Sequence, residues 1–132
     1  MTQERGARGS ETVLLVEDDA SLRELLRTVL KGRGYTVLGA ATPEEALELG
    51  PGHAGPIHLL LTDVVMPRMD GSEVASRMVA LRSEVRVLYM SGYADETIVL
   101  HHLDATDVRF LRKPFTPEKL AAKVRAVLDA DE

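Results

Sequence analysis

From Glu11 onward, short apolar runs alternate with stretches whose apolar residues recur at helical spacing. Thr12–Val16 (TVLLV) is apolar at consecutive positions and partly β-branched, as a strand buried on both faces requires. Ser21 then opens a segment with Leu22, Leu25, Leu26, Val29 and Leu30 on one helical face, closed by Gly32 and Gly34. Residues 35–38 read as a second strand. Thr42-Pro43-Glu44-Glu45 is a helix start: a capping hydroxyl, a proline in the first turn, and acids at the positive end of the helix dipole. That helix is expected to stop near Gly50-Pro51-Gly52. Strands follow at 57–62, 85–90 and 108–111. A helix is expected over Gly71–Leu81 with Val74, Met78 and Leu81 on one face, and a weakly patterned one over 95–103. Thr116-Pro117-Glu118 repeats the cap, proline and acid, and opens a last helix carrying Leu120, Val124, Val127 and Leu128.

Five strands alternating with five helices imply a parallel sheet covered on both faces. The expected fold is therefore α/β, a doubly wound five-stranded parallel sheet of the flavodoxin-like (βα)5 type. A chain of 132 residues with 45% hydrophobic and 28% charged residues suits one such domain, expected over residues 11–130. Residues 1–10, polar and rich in Gly and Arg, read as a flexible tail or linker. There is no cysteine, which excludes disulfides and thiolate metal sites. A net charge of −5 argues against nucleic-acid binding by this chain, and no apolar run is long enough to span a membrane. A cytoplasmic location is expected.

In open α/β sheets, ligands bind where loops leave the carboxyl ends of the strands. Those ends carry Glu17-Asp18-Asp19, Thr62-Asp63, Ser91-Gly92 and Arg112-Lys113-Pro114. Asp19 suits the cap of the first helix. The other acids would repel one another if brought together, and a hard divalent cation such as Mg²⁺ would compensate them, since every candidate ligand is an oxygen. Lys113 would supply a second positive charge and Ser91 a hydroxyl. A cation, a lysine and a hydroxyl around one carboxylate make a place to receive a phosphoryl group.

The set Glu17-Asp18, Asp63 followed by Met66-Pro67, Ser91-Gly92 and Lys113-Pro114 resembles the response-regulator receiver domain, and so does the spacing from Asp18 to Arg23. The resemblance implies that Asp63 is the phosphoacceptor, taking a phosphoryl group from a phosphohistidine of a histidine kinase or histidine phosphotransfer protein. It implies a Mg²⁺ site made by Asp18, Asp63, the backbone carbonyl of Val65 and, through water, Glu17. Lys113 would pair with the acceptor, Ser91 would bind the phosphoryl group, Gly92 would leave it room, and Phe110 would be a switch aromatic. The Lys113–Pro114 bond is expected to be cis. Val65 and Tyr93 offer no acid or amide to orient an attacking water, so slow self-dephosphorylation is expected; a half-life of seconds would contradict this.

Three rivals compete with a phosphoaccepting module that is not itself an enzyme. An aspartyl-phosphate phosphatase needs an acid two residues after its nucleophile, where Val65 stands. A flavin or nucleotide binder needs a phosphate-binding loop where Glu17-Asp18-Asp19 stands. A receiver-like domain that binds partners without phosphorylation would not need the acceptor, metal and lysine positions. The parent is either a stand-alone receiver or a hybrid sensor histidine kinase carrying it at the C-terminus. The strings 11–19, 88–93 and 113–118 resemble the latter. The oligomeric expectation is a monomer or weak homodimer. His101 and His102 are expected to be bystanders.

Overall fold

The computed structural model describes residues 8–64, 71–91 and 110–130. Within them lie strands β1 (Thr12–Val16), β2 (Thr36–Ala40), β3 (Leu59–Asp63), β4 (Arg86–Ser91) and β5 (Phe110–Arg112). The helices are α1 (Ala20–Gly32), α2 (Pro43–Gly52), α3 (Gly71–Leu81) and α4 (Pro117–Asp129). The strands pair in parallel in the order β2-β1-β3-β4-β5. This is the expected doubly wound, flavodoxin-like sheet. The helix expected over 95–103, with His101 and His102, lies outside the described residues.

Successive strand residues point to opposite faces, and the core divides accordingly. Val13, Leu15, Leu59, Leu61, Leu88 and Met90 pack with Leu26 and Leu30 of α1 and Leu120, Val124 and Val127 of α4. Leu14, Val16, Leu60, Val87 and Tyr89 pack with Ala46 of α2 and Val74, Ala75 and Met78 of α3. The consecutive apolar residues of β1 and β3 are explained by this two-sided burial.

Three helices begin at the side chains expected to cap them. Asp19 accepts from the Leu22 N–H (3.1 Å), Thr42 from Glu45 (3.0 Å) and Thr116 from Lys119 (3.1 Å). Strand limits shift by one or two residues. β2 runs on to Ala40, because Gly39 and Ala40 continue the ladder beside Leu15 and Val16. β4 extends to Ser91, which pairs with Arg112. Leu81 departs from the expected face: it is 56% exposed, and Ala75 takes the buried place beside Val74 and Met78. The Lys113–Pro114 peptide bond is cis. Arg8 and Gly9, within the segment read as a tail, bond back to the domain: the Gly9 N–H donates to the Arg33 carbonyl (3.0 Å), and Arg8 to that of Gly32 (3.4 Å).

Candidate functional site

The order β2-β1-β3 makes the gap between the carboxyl ends of β1 and β3 the place where the winding reverses, and the acids converge there. Glu17 follows β1 and is 1% exposed; Asp63 ends β3 and is 4% exposed. Asp18 faces solvent. One carboxylate oxygen from each of Glu17, Asp18 and Asp63 lies within 4.8 Å of the others. Lys113, one residue beyond β5, places Nζ 2.7 Å from Asp63 Oδ1 and 3.2 Å from Glu17 Oε1. Its own N–H donates to the Ser91 carbonyl (2.8 Å), which ties the lysine to the end of β4. Ser91 is buried at that end. The approach of α3 to β3 depends on Gly71: a Cβ there would fall inside contact distance of the Asp63 carbonyl, and the Gly71 N–H bonds to the Val64 carbonyl (2.5 Å).

Burial, assisted by Glu17, pushes the Asp63 carboxyl up to about 7, although Lys113 works against it. For Lys113, burial opposes the charge, but Asp63 and Glu17 more than offset it and the ammonium is held above its usual range. A carboxylate this buried needs more positive charge than one lysine supplies if it is to stand ionised at neutral pH. With all three carboxylates ionised, one ammonium would leave two negative charges in excess. That excess, with hard oxygen donors throughout, fits a hard dication.

Phe110 is buried, and its ring stacks on Tyr89 with centroids 5.4 Å apart. It lies in the core layer shared with α2 and α3. Of the expected site residues, Glu17, Asp18, Asp63, Ser91 and Lys113 come together at one edge of the sheet. Val65, Met66, Pro67, Gly92 and Tyr93 lie outside the described residues.

The sequence profile of the response regulator receiver domain matches residues 13–125. The chain belongs to the response regulator receiver family. The receiver is 36% identical over 124 residues to Sensor kinase CckA of Brucella abortus (strain 2308), which covers 94% of this chain and 13% of that protein. It is 33% identical to the response regulator receiver protein CpdR of the same organism, over 89% of this chain and 97% of that one. Among solved structures, the receiver domain from Hybrid Histidine Kinase CckA superposes with a TM-score of 0.73 at 31% identity, covering 89% of this chain and 99% of that one. The chain thus spans a small part of one relative and nearly all of another. As a receiver it is a module of two-component signalling.

The spacing to Arg23 was visible in the sequence, but what that side chain touches was not. Its Nη1 donates to the Glu17 carbonyl (2.8 Å). The available signal was a basic residue one helical turn beyond an acidic cap. Tyr89, the ring against Phe110, was hidden within an apolar strand.

Proposed function

We propose that Asp63 accepts a phosphoryl group from a phosphohistidine of a histidine kinase or histidine phosphotransfer protein, in a Mg²⁺-dependent reaction. The observation that carries this is Asp63 itself: a buried strand-end carboxylate, paired with Lys113 at 2.7 Å and set among two further acids. An Asp63 oxygen attacks phosphorus, the bond from phosphorus to the donor imidazole nitrogen breaks, and the imidazole leaves with that electron pair. Lys113 neutralises charge on the acceptor and then on a phosphoryl oxygen. The Ser91 hydroxyl donates to another.

Asp18, Asp63, the carbonyl of Val65 and, through water, Glu17 would hold Mg²⁺. When bound, the ion supplies charge neutralisation and keeps Asp63 ionised. The phosphoryl group adds nearly two negative charges at the end of β3. Movement of Ser91 toward it would open space near β5, and Phe110 would follow as the switch aromatic.

The same reading assigns residues 11–130 to the receiver and 1–10 to the segment leading into it. It places the domain in the cytoplasm as a monomer or weak homodimer, and as the receiver of a hybrid sensor histidine kinase, with a stand-alone receiver as the alternative parent. The 36% identity to a sensor kinase supports the kinase parent. The test is intact mass after incubation with acetyl phosphate, with and without Mg²⁺, beside Asp63→Asn. One Mg²⁺-dependent phosphoryl adduct, absent in the variant, is expected. No adduct from acetyl phosphate or from a phosphorylated kinase, on folded protein, would instead favour a partner-binding domain that does not use phosphorylation.

A further inference from the structure

Glu17 is held at every polar atom. Its N–H donates to the Ala40 carbonyl (3.1 Å), Oε2 accepts from the Asp19 N–H (3.0 Å), and Oε1 faces Lys113 (3.2 Å). Its carbonyl lies past the end of β1, where the parallel ladder has stopped, and takes its hydrogen bond from Arg23 Nη1 (2.8 Å). The peptide so held is the one that joins Glu17 to Asp18, two of the three clustered acids. Arg23 is itself fixed on both sides. Its N–H donates to the Asp19 carbonyl (2.8 Å), and its stem crosses β2 above Gly39, where a Cβ would stand 3.8 Å from Arg23 Cδ. A single side chain thus links the first turn of α1 to the peptide between the two acids.

We propose that Arg23 is a positioning residue for the divalent cation, holding the Glu17–Asp18 peptide so that both carboxylates stay grouped with Asp63. This rests on the Mg²⁺ reading above. Two effects of Arg23 on the cation have opposite signs, which makes the role testable. As a nearby positive charge it repels Mg²⁺, so its removal would tighten binding. As the clamp on the peptide it preorganises the acids, so its removal weakens binding, as loss of the groups that orient metal ligands generally does. The clamp is a direct 2.8 Å hydrogen bond from a partly buried side chain, whereas the charge acts on the cation only at a distance and is screened by salt.

The experiment is titration of the full chain with MgCl₂ alone, followed through amide NMR shifts, for wild type, Arg23→Met and Arg23→Gln at low and high KCl. Wild type is expected to saturate. Both variants are expected to keep a dispersed amide spectrum and to bind Mg²⁺ roughly tenfold more weakly, with the deficit persisting at high salt. Arg23→Lys, which keeps a donor and the charge, is expected to recover part of the affinity. An unchanged or tighter Kd in a folded variant overturns the proposal. If Arg23→Met fails to fold, Arg23→Gln is read by the same criterion. A wild type that shows no Mg²⁺ response overturns the metal reading itself, and this inference with it.

Discussion

At the scale of single residues, burial of Asp63 sets a conflict between stability and chemistry. Its pKa is raised above the ordinary carboxylate value to about 7, by burial first and by Glu17 after it. A carboxyl raised in the folded state contributes stability that is present below the unfolded pKa and is lost as pH rises through the folded one. Without a divalent cation, the protein therefore loses stability between about pH 4 and pH 7 on account of this group. Asp63→Asn removes the ionisation but keeps an oxygen for Lys113. The variant is expected to melt higher than wild type at pH 8 without Mg²⁺, by on the order of 2 kcal/mol in stability, with the gain shrinking toward pH 5. Saturating Mg²⁺ at pH 8 should narrow the gap from the other side, by stabilising only the wild type. Thermal melts over this grid check it; a gap independent of pH would show that Asp63 is not the strained group.

At the scale of elements, helix limits were readable in the sequence, whereas most strand limits moved by one or two residues. Asp19, Thr42 and Thr116 announce their helices because a cap acts on N–H groups two or three residues away, a purely local interaction. The end of β2 was missed because Gly39 and Ala40 have little strand preference and are held by the ladder to β1, a tertiary effect. The acid cluster was readable because strand order places fixed strand ends together, while the raised pKa of Asp63 needed the depth of burial. Arg82 is the extreme case of a long-range role with no local signature. From the end of α3 its guanidinium donates to the carbonyls of Gly50 (2.7 Å), Gly55 (2.8 Å) and His53, closing the end of α2 and the turn into β3. Its side chain is 16% exposed, so water replaces these bonds poorly. Arg82→Ala is expected to cost about 2 kcal/mol by denaturant unfolding. Faster hydrogen exchange should be concentrated in residues 50–58, and a uniform increase across the sheet would contradict the local role.

At the scale of the whole molecule, the two ends of the sheet carry separate charge networks. The acceptor cluster sits at the carboxyl ends of the strands. At the amino ends, Arg125 of α4 grips Glu11 (2.7 and 3.1 Å), Asp129 (2.8 and 3.1 Å), the Tyr35 hydroxyl (3.3 Å) and the Arg8 carbonyl (3.0 Å). A five-residue strand separates the two networks by roughly 17 Å. Arg8 and Gly9, at the start of the described chain, are therefore tied down at the pole away from Asp63. The hydrogen bond from Arg125, opposed by partial burial, lowers the Glu11 carboxyl to about 2. A carboxyl depressed in the folded state contributes stability that is present above its unfolded pKa of about 4.5 and is lost as pH falls through about 2. Glu11→Gln should thus lower stability at pH 7 by on the order of 1 kcal/mol, discounted because the side chain is 24% exposed, and the deficit should fade as pH drops from 4.5 toward 2. The same variant should be phosphorylated by acetyl phosphate at the wild-type rate, because no residue of the amino-terminal network touches Asp63, Lys113 or Ser91. Melting curves against pH and a phosphorylation time course check the two halves independently. A slowed phosphorylation in a stably folded Glu11→Gln would mean that the two poles communicate through β1, and that the anchored entry segment helps set the acceptor site.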